Sequence, residues 1–161
     1  MTKYIGNILP ESIFSSISAD IIKRENTAIF ILTQDSNGYP HVAMLSPYQF
    51  SAISREQFIF SIYPSSESCS NLRDRKKSTF IFQMDGGVYY VKSQVEEIKE
   101  NPFLNASHSV FISSGLWVGF DHSERALITS YTRFQDAGVI EDYRREAENL
   151  IRISKNLVKG N

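Results

Sequence analysis

The segment from residue 28 to residue 82 constrains the fold of this chain more than any other. Turn sequences separate its extended apolar stretches, which read AIFILT (28–33), HVAMLSPYQF (41–50), QFIFSIY (57–63) and STFIFQM (78–84). Before the last of them, the Ser-rich segment SSESCSNL leads into a short helix. Extended segments joined by tight turns predict the antiparallel wall of a β-barrel, and the Ser-rich helix entry predicts an anion site at its edge.

Seven strands are predicted along the chain. They span residues 28–33, 41–50, 57–63, 79–84, 88–98, 110–120 and 125–134. The first is a nearly continuous apolar run, which is typical of a strand covered on both faces. Pro47 should interrupt the pairing of the second strand, Asp85-Gly86-Gly87 is a hairpin signal, and Gly115 and Gly119 should bend the sixth strand.

Helices are predicted only at the two ends of the chain and after the third strand. Apolar residues recur at helical spacing near both termini. Near the C-terminus they form one stripe of a helix, which consists of Ile140, Tyr143, Ala147, Leu150 and Leu157. We therefore expect one domain over residues 1–161, with a helix at about 10–22, a barrel at about 27–135 and a helix at about 138–157. Many strands with peripheral helices indicate a mainly β, antiparallel barrel.

Composition excludes several classes of function. The 17 Lys and Arg residues nearly balance the 18 Asp and Glu residues, so no strong electrostatic field attracts the protein to nucleic acid or to a membrane surface. Cys69 is the one cysteine, and His41, His108 and His122 lack metal-ligand spacing, so we predict neither a disulfide nor a metal. No leader and no apolar stretch long enough for a bilayer are visible in the sequence, and we expect a cytoplasmic protein.

The Ser-rich segment is the strongest candidate for a ligand site. Ser65, Ser66 and Ser68 could cap a helix whose free N–H groups and positive dipole end attract a phosphate, and Arg73 brings a cation close by. The same pattern is also typical of an ordinary helix cap beside a solvated basic face. The residues alone leave both interpretations open.

Two stretches of the sequence resemble a known family. AIFILTQDSNGYPHV (28–42) and SCSNLRDRK (68–76) are similar, in order and separation, to motifs of the FMN-binding split-barrel family, the pyridoxamine 5′-phosphate oxidase-like proteins. The resemblance implies an antiparallel split β-barrel that holds the FMN phosphate at the Ser-rich junction and the isoalloxazine ring against the second and third strands. The residues implied as cofactor-binding are Met44, Leu45, Ser46, Ser61, Ile62, Tyr63, Ser65, Ser66, Ser68, Asn71 and Arg73. Many family members carry Lys or Arg where this chain has Ser68.

The resemblance also implies a function. Similar proteins are homodimers with two FMN sites lined by both subunits, so we expect an FMN-dependent oxidoreductase of unknown substrate. Trp117, Tyr131 and Arg133 are candidates for contacts with the substrate, the flavin edge or the partner subunit, although packing alone could also explain Trp117. The absence of a catalytic side-chain motif agrees with chemistry carried by a cofactor. The alternative is a split-barrel protein that has lost FMN and acts as a dimeric small-ligand-binding module.

Overall fold

A computed structural model describes residues 2–18, 27–122 and 140–160 of the chain. The elements in chain order are β1 (Lys3–Gly6), α1 (Glu11–Ser18), β2 (Ile29–Gln34), β3 (Pro40–Leu45), a 3₁₀ turn (Pro47–Gln49), β4 (Phe50–Ala52), β5 (Phe58–Ile62), α2 (Glu67–Arg75), β6 (Lys77–Met84), β7 (Gly87–Glu97), β8 (Ser109–Asp121) and α3 (Ile140–Lys159). The strands form one antiparallel sheet in the order β3-β2-β6-β7-β8-β5-β4, and β1 pairs with β8. The sheet curls into a half-barrel, so the predicted mainly β split-barrel architecture is confirmed.

Phenylalanine fills the interior of the curled sheet. Alternate positions of a strand point to the same face, and the inward positions here carry the fully buried rings Phe50, Phe58, Phe60, Phe80, Phe82 and Phe111. Phe60 and Phe80 meet edge to face, with their ring centroids 5.0 Å apart. Ile13 and Ile17 of α1 join the same cluster. This core fixes the curvature of the sheet and the position of β5, which leads into the Ser-rich junction.

Helix α3 covers the opposite face of β5 and β8. Its Leu150 and Ile153 pack on Ile59 and Val110, and Ser154 Oγ lies 3.0 Å from Ser51 Oγ of β4. Of the predicted stripe, Ala147 and Leu150 are buried, while the helix also buries Ile153, Ser154 and Glu146. Glu146 is a buried acid, whereas these other buried residues of the helix are uncharged. Within the described residues, no helix is long and apolar enough to cross a membrane.

The prediction of one strand over residues 41–50 is wrong. Strand β3 ends at Leu45, a 3₁₀ turn follows, and β4 then pairs with β5 instead of β2. Pro47 has no N–H to continue the ladder, and Ser46 and Gln49 cap the turn reciprocally. The predicted interruption at Pro47 is thus confirmed, and the chain uses it to change partners.

Other boundaries also differ from prediction. Strand β2 is not covered on both faces, because Ile29, Ile31 and Thr33 are buried whereas Phe30 and Leu32 are only half-buried. The pairing of β1 with β8 was not predicted. The bend at Gly115 is confirmed by its φ of 59° and by a register shift of the facing strand β7. The predicted strand 125–134, with Tyr131 and Arg133, lies outside the described residues, as do residues 19–22 of the first helix.

Candidate functional site

The first turn of α2 lies directly after β5, where the sequence predicts a phosphate site. Ser66 is the N-cap, and its Oγ accepts a hydrogen bond from the N–H of Cys69 and donates one to the carbonyl of Tyr63. Helix geometry leaves the N–H groups of Glu67 and Ser68 without acceptors inside the helix. Ser65 precedes the cap and is exposed. The junction therefore presents backbone donors, while the Ser66 hydroxyl is used to form the cap.

Ser68 is the most unusual polar residue of this turn. Its side chain is only 1 % exposed, and its Oγ has no hydrogen-bond partner within the part of the chain that the structure describes. A buried hydroxyl without a partner costs about 1–3 kcal/mol. A ligand atom or an ordered water that bonds to this hydroxyl would remove that cost.

Two further contacts connect α2 to the strands β2 and β3. Asn71 Nδ2 donates to Thr33 Oγ1 at 3.1 Å, and both residues are buried. His41 Nδ1 lies 3.5 Å from a carboxylate oxygen of Glu67 in the first turn of the helix. Asn71 therefore positions the helix, and the Glu67 carboxylate adds negative charge where a phosphate was predicted.

Arg73, the predicted phosphate cation, is paired inside the protein. Its Nη2 lies 2.7 Å from Glu97 Oε1 and 2.9 Å from Ser109 Oγ, and its Nε donates to Glu97 Oε2 at 3.0 Å. Hydrogen bonding to Arg73 lowers the pKa of the Glu97 carboxyl, and the same bond raises the pKa of Arg73. To contact a phosphate, the Arg73 guanidinium would have to give up its bonds to Glu97 or share them with the ligand.

The residues predicted to line the isoalloxazine ring point in three directions. Met44 is 55 % exposed on the outer surface of the sheet, next to the equally exposed Val42. The side chains of Leu45 and Ile62 belong to the phenylalanine core. Only the backbone of those two residues is therefore available to a ligand.

Ser61 and Tyr63 share the face of Ile59, which packs on α3, whereas Ser46 lies in the turn after β3. Ser46 Oγ accepts from the N–H of Tyr48, and its own N–H donates to Gln49 Oε1, so this serine is used in the turn. Ser61 is fully buried, and its Oγ finds no hydrogen-bond partner in residues 2–18, 27–122 and 140–160. Tyr63 is exposed, and its ring lies 4.8 Å from that of His108.

Trp117 lies at the far end of β8, away from α2. Its ring is 5.5 Å from that of Tyr4 on β1, and the Lys92 ammonium lies 4.4 Å from its centroid. These contacts are those of a residue that packs between strands. Of the predicted residues, the structure therefore places Ser68, Asn71 and Arg73 on α2 and Ser65 and Ser66 directly before it, and it leaves Trp117 apart from them.

Sequence reasoning missed a polar cluster under Tyr63. His108 Nδ1 lies 3.1 Å from Glu146 Oε2, and their side chains are 16 % and 7 % exposed. Burial, together with the nearby Tyr63, raises the pKa of Tyr143 on the same helix. The signal was present in the sequence, because Glu146 interrupts the apolar stripe of α3 between Tyr143 and Leu150. An acid in such a stripe indicates a partner on the surface that the stripe covers.

The donors around Ser68 are of the types that a phosphate accepts. They combine two helix N–H groups with a buried hydroxyl that lacks a partner in the described structure, which is the donor set that a phosphate accepts. Two features oppose tight binding: the Glu67 carboxylate and the engagement of Arg73 by Glu97. Among the described residues, no group of three metal-ligating side chains is present.

Comparison with known proteins identifies the fold. No protein-family model matches the chain. YclD, an uncharacterized protein of Bacillus subtilis (strain 168), is 23 % identical over 130 residues, which cover 80 % of this chain and 84 % of YclD. A proposed pyridoxamine 5′-phosphate oxidase from Lactobacillus delbrueckii superposes with a TM-score of 0.56 at 15 % identity, covering 72 % of this chain and 98 % of that one. An F420 reductase gives a TM-score of 0.50 at 14 % identity, covering 70 % and 98 %. The chain therefore has the split-barrel fold of the pyridoxamine 5′-phosphate oxidase-like proteins.

Proposed function

We propose that the protein binds FMN and acts as an oxidoreductase on a small substrate. The observation that carries this proposal is the buried Ser68 hydroxyl, unpartnered within the described chain, at the first turn of α2. A phosphate that accepts from this hydroxyl and from the adjacent helix N–H groups would satisfy donors that the described residues leave open. The shared fold with a proposed pyridoxamine 5′-phosphate oxidase and an F420 reductase supports a redox role.

The residues around the site have separate tasks in this proposal. Ser68 and the backbone of the first turn hold the phosphate, Ser66 keeps the helix start in place, and Asn71 fixes the helix on β2. FMN, when bound, supplies the hydride or electron transfer, so the protein needs to bind and orient the reactants.

We further propose that the protein is a homodimer. The outer surface of β2 and β3 carries Phe30, Leu32, Val42 and Met44, and their register places Phe30 beside Met44 and Leu32 beside Val42. Val42 and Met44 are each 55 % exposed. Such a contiguous apolar face is costly in water, and a two-fold contact with a second copy would cover it. The same contact would bring residues of the partner close to β3 and to the flavin site.

A flavin titration tests the cofactor assignment. FMN, riboflavin and FAD are each added to the purified protein while flavin fluorescence and the absorption band at about 450 nm are followed. FMN should bind most tightly, because the helix start can hold one terminal phosphate and the sequence carries no dinucleotide motif. Haem is titrated in parallel, and a Soret band without flavin binding would contradict the assignment.

A matched pair of variants tests the phosphate site itself. Ser68→Ala removes the buried hydroxyl, and Ser70→Ala removes an exposed hydroxyl of the same helix as a control. We expect the first variant to weaken FMN about three- to tenfold, a loss of roughly 0.6–1.4 kcal/mol, and to leave riboflavin unchanged. Equal losses of both ligands, or equal effects of the two variants, would contradict phosphate binding by Ser68.

One observation favours a second function. Arg73 is held by Glu97 and Ser109, and Ser68 stands where many family members carry a cation, so the first turn of α2 holds a carboxylate but no unpaired Arg or Lys among the residues described. This arrangement suits a flavin-free, dimeric small-ligand-binding module. Absence of binding by all three flavins at high micromolar concentration, in a protein that is still dimeric, would favour this function.

A further inference from the structure

A cavity adjoins the polar cluster formed by His108 and Glu146, and the proposed flavin site does not include it. The cavity has a volume of about 380 Å³, and its walls include Pro64, Lys99, Asn105, His108 and Ser109. This volume falls within the range of about 300–1,000 Å³ that is usual for small-molecule sites. One wall is neutral, because Arg73 compensates the charge of Glu97. Lys99 and His108 therefore determine the chemistry of the remaining surface.

His108 is held in a defined orientation. Ile62 pairs with Ser109, so His108 lies opposite Tyr63, whose ring covers the imidazole at a centroid distance of 4.8 Å. Nδ1 is buried and points to the Glu146 carboxylate at 3.1 Å, without the alignment of a hydrogen bond. His108 lines the cavity, and because its Nδ1 is buried against Glu146, Nε2 is the ring nitrogen left for a ligand.

The buried carboxylate determines which nitrogen can accept a proton. A carboxylate facing Nδ1 favours the neutral tautomer that carries its proton on Nδ1. In that tautomer Nε2 holds a lone pair and is a proton acceptor. Burial of the Glu146 carboxylate in this helix interface would be costly unless a partner such as the His108 imidazole stabilises it.

We propose that this cavity binds a small organic acid, that Nε2 of His108 accepts its acidic proton, and that the Lys99 ammonium pairs with the anion that forms. The step transfers one proton from an O–H or N–H group of the ligand to the imidazole and needs no other reactant. Glu146 is a positioning residue, because it contacts His108 from the side opposite the ligand. The proposal goes beyond FMN binding and does not depend on it.

A chromogenic acid tests the proton transfer. 4-Nitrophenol is added to the protein at a pH at which the free phenol is mostly neutral, and the phenolate band is recorded. The wild-type protein should raise the ionised fraction of the bound probe, and His108→Gln should abolish that rise. Lys99→Gln should weaken binding at least threefold, whereas Lys155→Gln, on the exposed surface of α3, should not change it. An unchanged probe spectrum, or equal ionisation by wild type and His108→Gln, would overturn the proposal.

Histidine NMR tests the role of Glu146 and remains valid if the His108 variant does not fold. The three histidines of the chain can be assigned by substitution, and ¹⁵N shifts identify the tautomer of each neutral ring. His108 should carry its proton on Nδ1 in the wild type and lose that preference in Glu146→Gln. Glu148→Gln, which changes an exposed acid of the same helix, should leave it unchanged. A proton on Nε2 of the wild-type ring, or the same tautomer in Glu146→Gln, would overturn the assignment.

Discussion

Arg73 of α2 and Glu97 at the end of β7 form a two-point ion pair, with Nε 3.0 Å from Oε2 and Nη2 2.7 Å from Oε1. The pair connects α2, whose first turn is the proposed phosphate site, to the end of strand β7. Ser109 of β8 extends it through a bond of 2.9 Å to Nη2. A ligand phosphate that recruited Arg73 would have to compete with a bidentate carboxylate, which is a strong partner for a guanidinium.

The first prediction concerns the pH dependence of stability that this pair produces. The pKa of Glu97 is lowered in the folded protein, so its stabilising contribution is present above the unfolded pKa and is lost as pH falls through the folded value. Arg73 is 42 % exposed, which limits the contribution through solvent screening. We expect Arg73→Gln to lower the free energy of unfolding by about 1 kcal/mol at neutral pH.

Urea unfolding at a series of pH values measures this effect. The difference between wild type and Arg73→Gln should shrink as pH falls below about 4.3, the ordinary pKa of a glutamate, because the unfolded chain then takes up a proton at Glu97 before the folded wild type does. Arg152→Gln, at an exposed position on α3, is the control and should show no such trend. A difference that stays constant or grows towards acid pH would show that the pair is not the cause.

The second prediction concerns the charge at the start of α2. Glu67 is 59 % exposed, and its carboxylate would repel a phosphate at the same helix turn. Glu67→Gln should therefore tighten FMN about two- to fivefold at low salt, with little change for riboflavin. The gain should fall as salt is added, because the charges are near the surface.

Glu56→Gln is the control for that experiment, because Glu56 is an exposed acid in the loop before β5. It should not alter the affinity for either flavin. Weaker FMN binding by Glu67→Gln would mean that His41 and Glu67 support the helix start, and that the loss of this contact outweighs the removal of negative charge.

The third prediction concerns the outer face of β2 and β3. Val42→Glu places a charge at the centre of the apolar surface formed with Leu32 and Met44. If a second copy covers this surface, the variant should sediment as a chain of 18.4 kDa where the wild type shows about twice that mass. Val158→Glu changes an equally exposed valine near the end of α3 and should leave the dimer intact. A wild type that is monomeric at low micromolar concentration would contradict the proposal.

Local sequence signals were sufficient where the backbone itself sets the structure. The turn between β6 and β7 needs two residues of positive φ, and Asp85 and Gly86 adopt 56° and 71° as their sequence predicts. The Ser66 cap of α2 follows from the same kind of short-range preference. In both places the deciding interactions lie within a few residues of sequence.

Long-range choices were not visible in the same way. Pro47 indicates that pairing stops, but the capture of β4 by β5 depends on Phe50 fitting the aromatic core made by Phe58 and Phe80. In the sequence, Glu97 is an ordinary acid at the end of a strand. Only the fold shows that α2 places Arg73 beside it. The ligand chemistry of Ser68 likewise depends on its burial, which the motif alone does not reveal.

The last prediction concerns a chain of buried hydroxyls across the barrel wall. Ser93 Oγ of β7 lies 2.9 Å from Ser78 Oγ of β6 and 3.2 Å from Ser113 Oγ of β8, and all three are buried. Ser93→Ala leaves two buried hydroxyls without this partner, so it should lower the free energy of unfolding by about 1–3 kcal/mol. The exposed Ser36→Ala is the control. Replacing all three serines by alanine should cost less than the sum of the single losses, because the triple variant leaves no member of the chain unpaired. Additive losses in denaturant unfolding would show that the three hydroxyls do not act as one network.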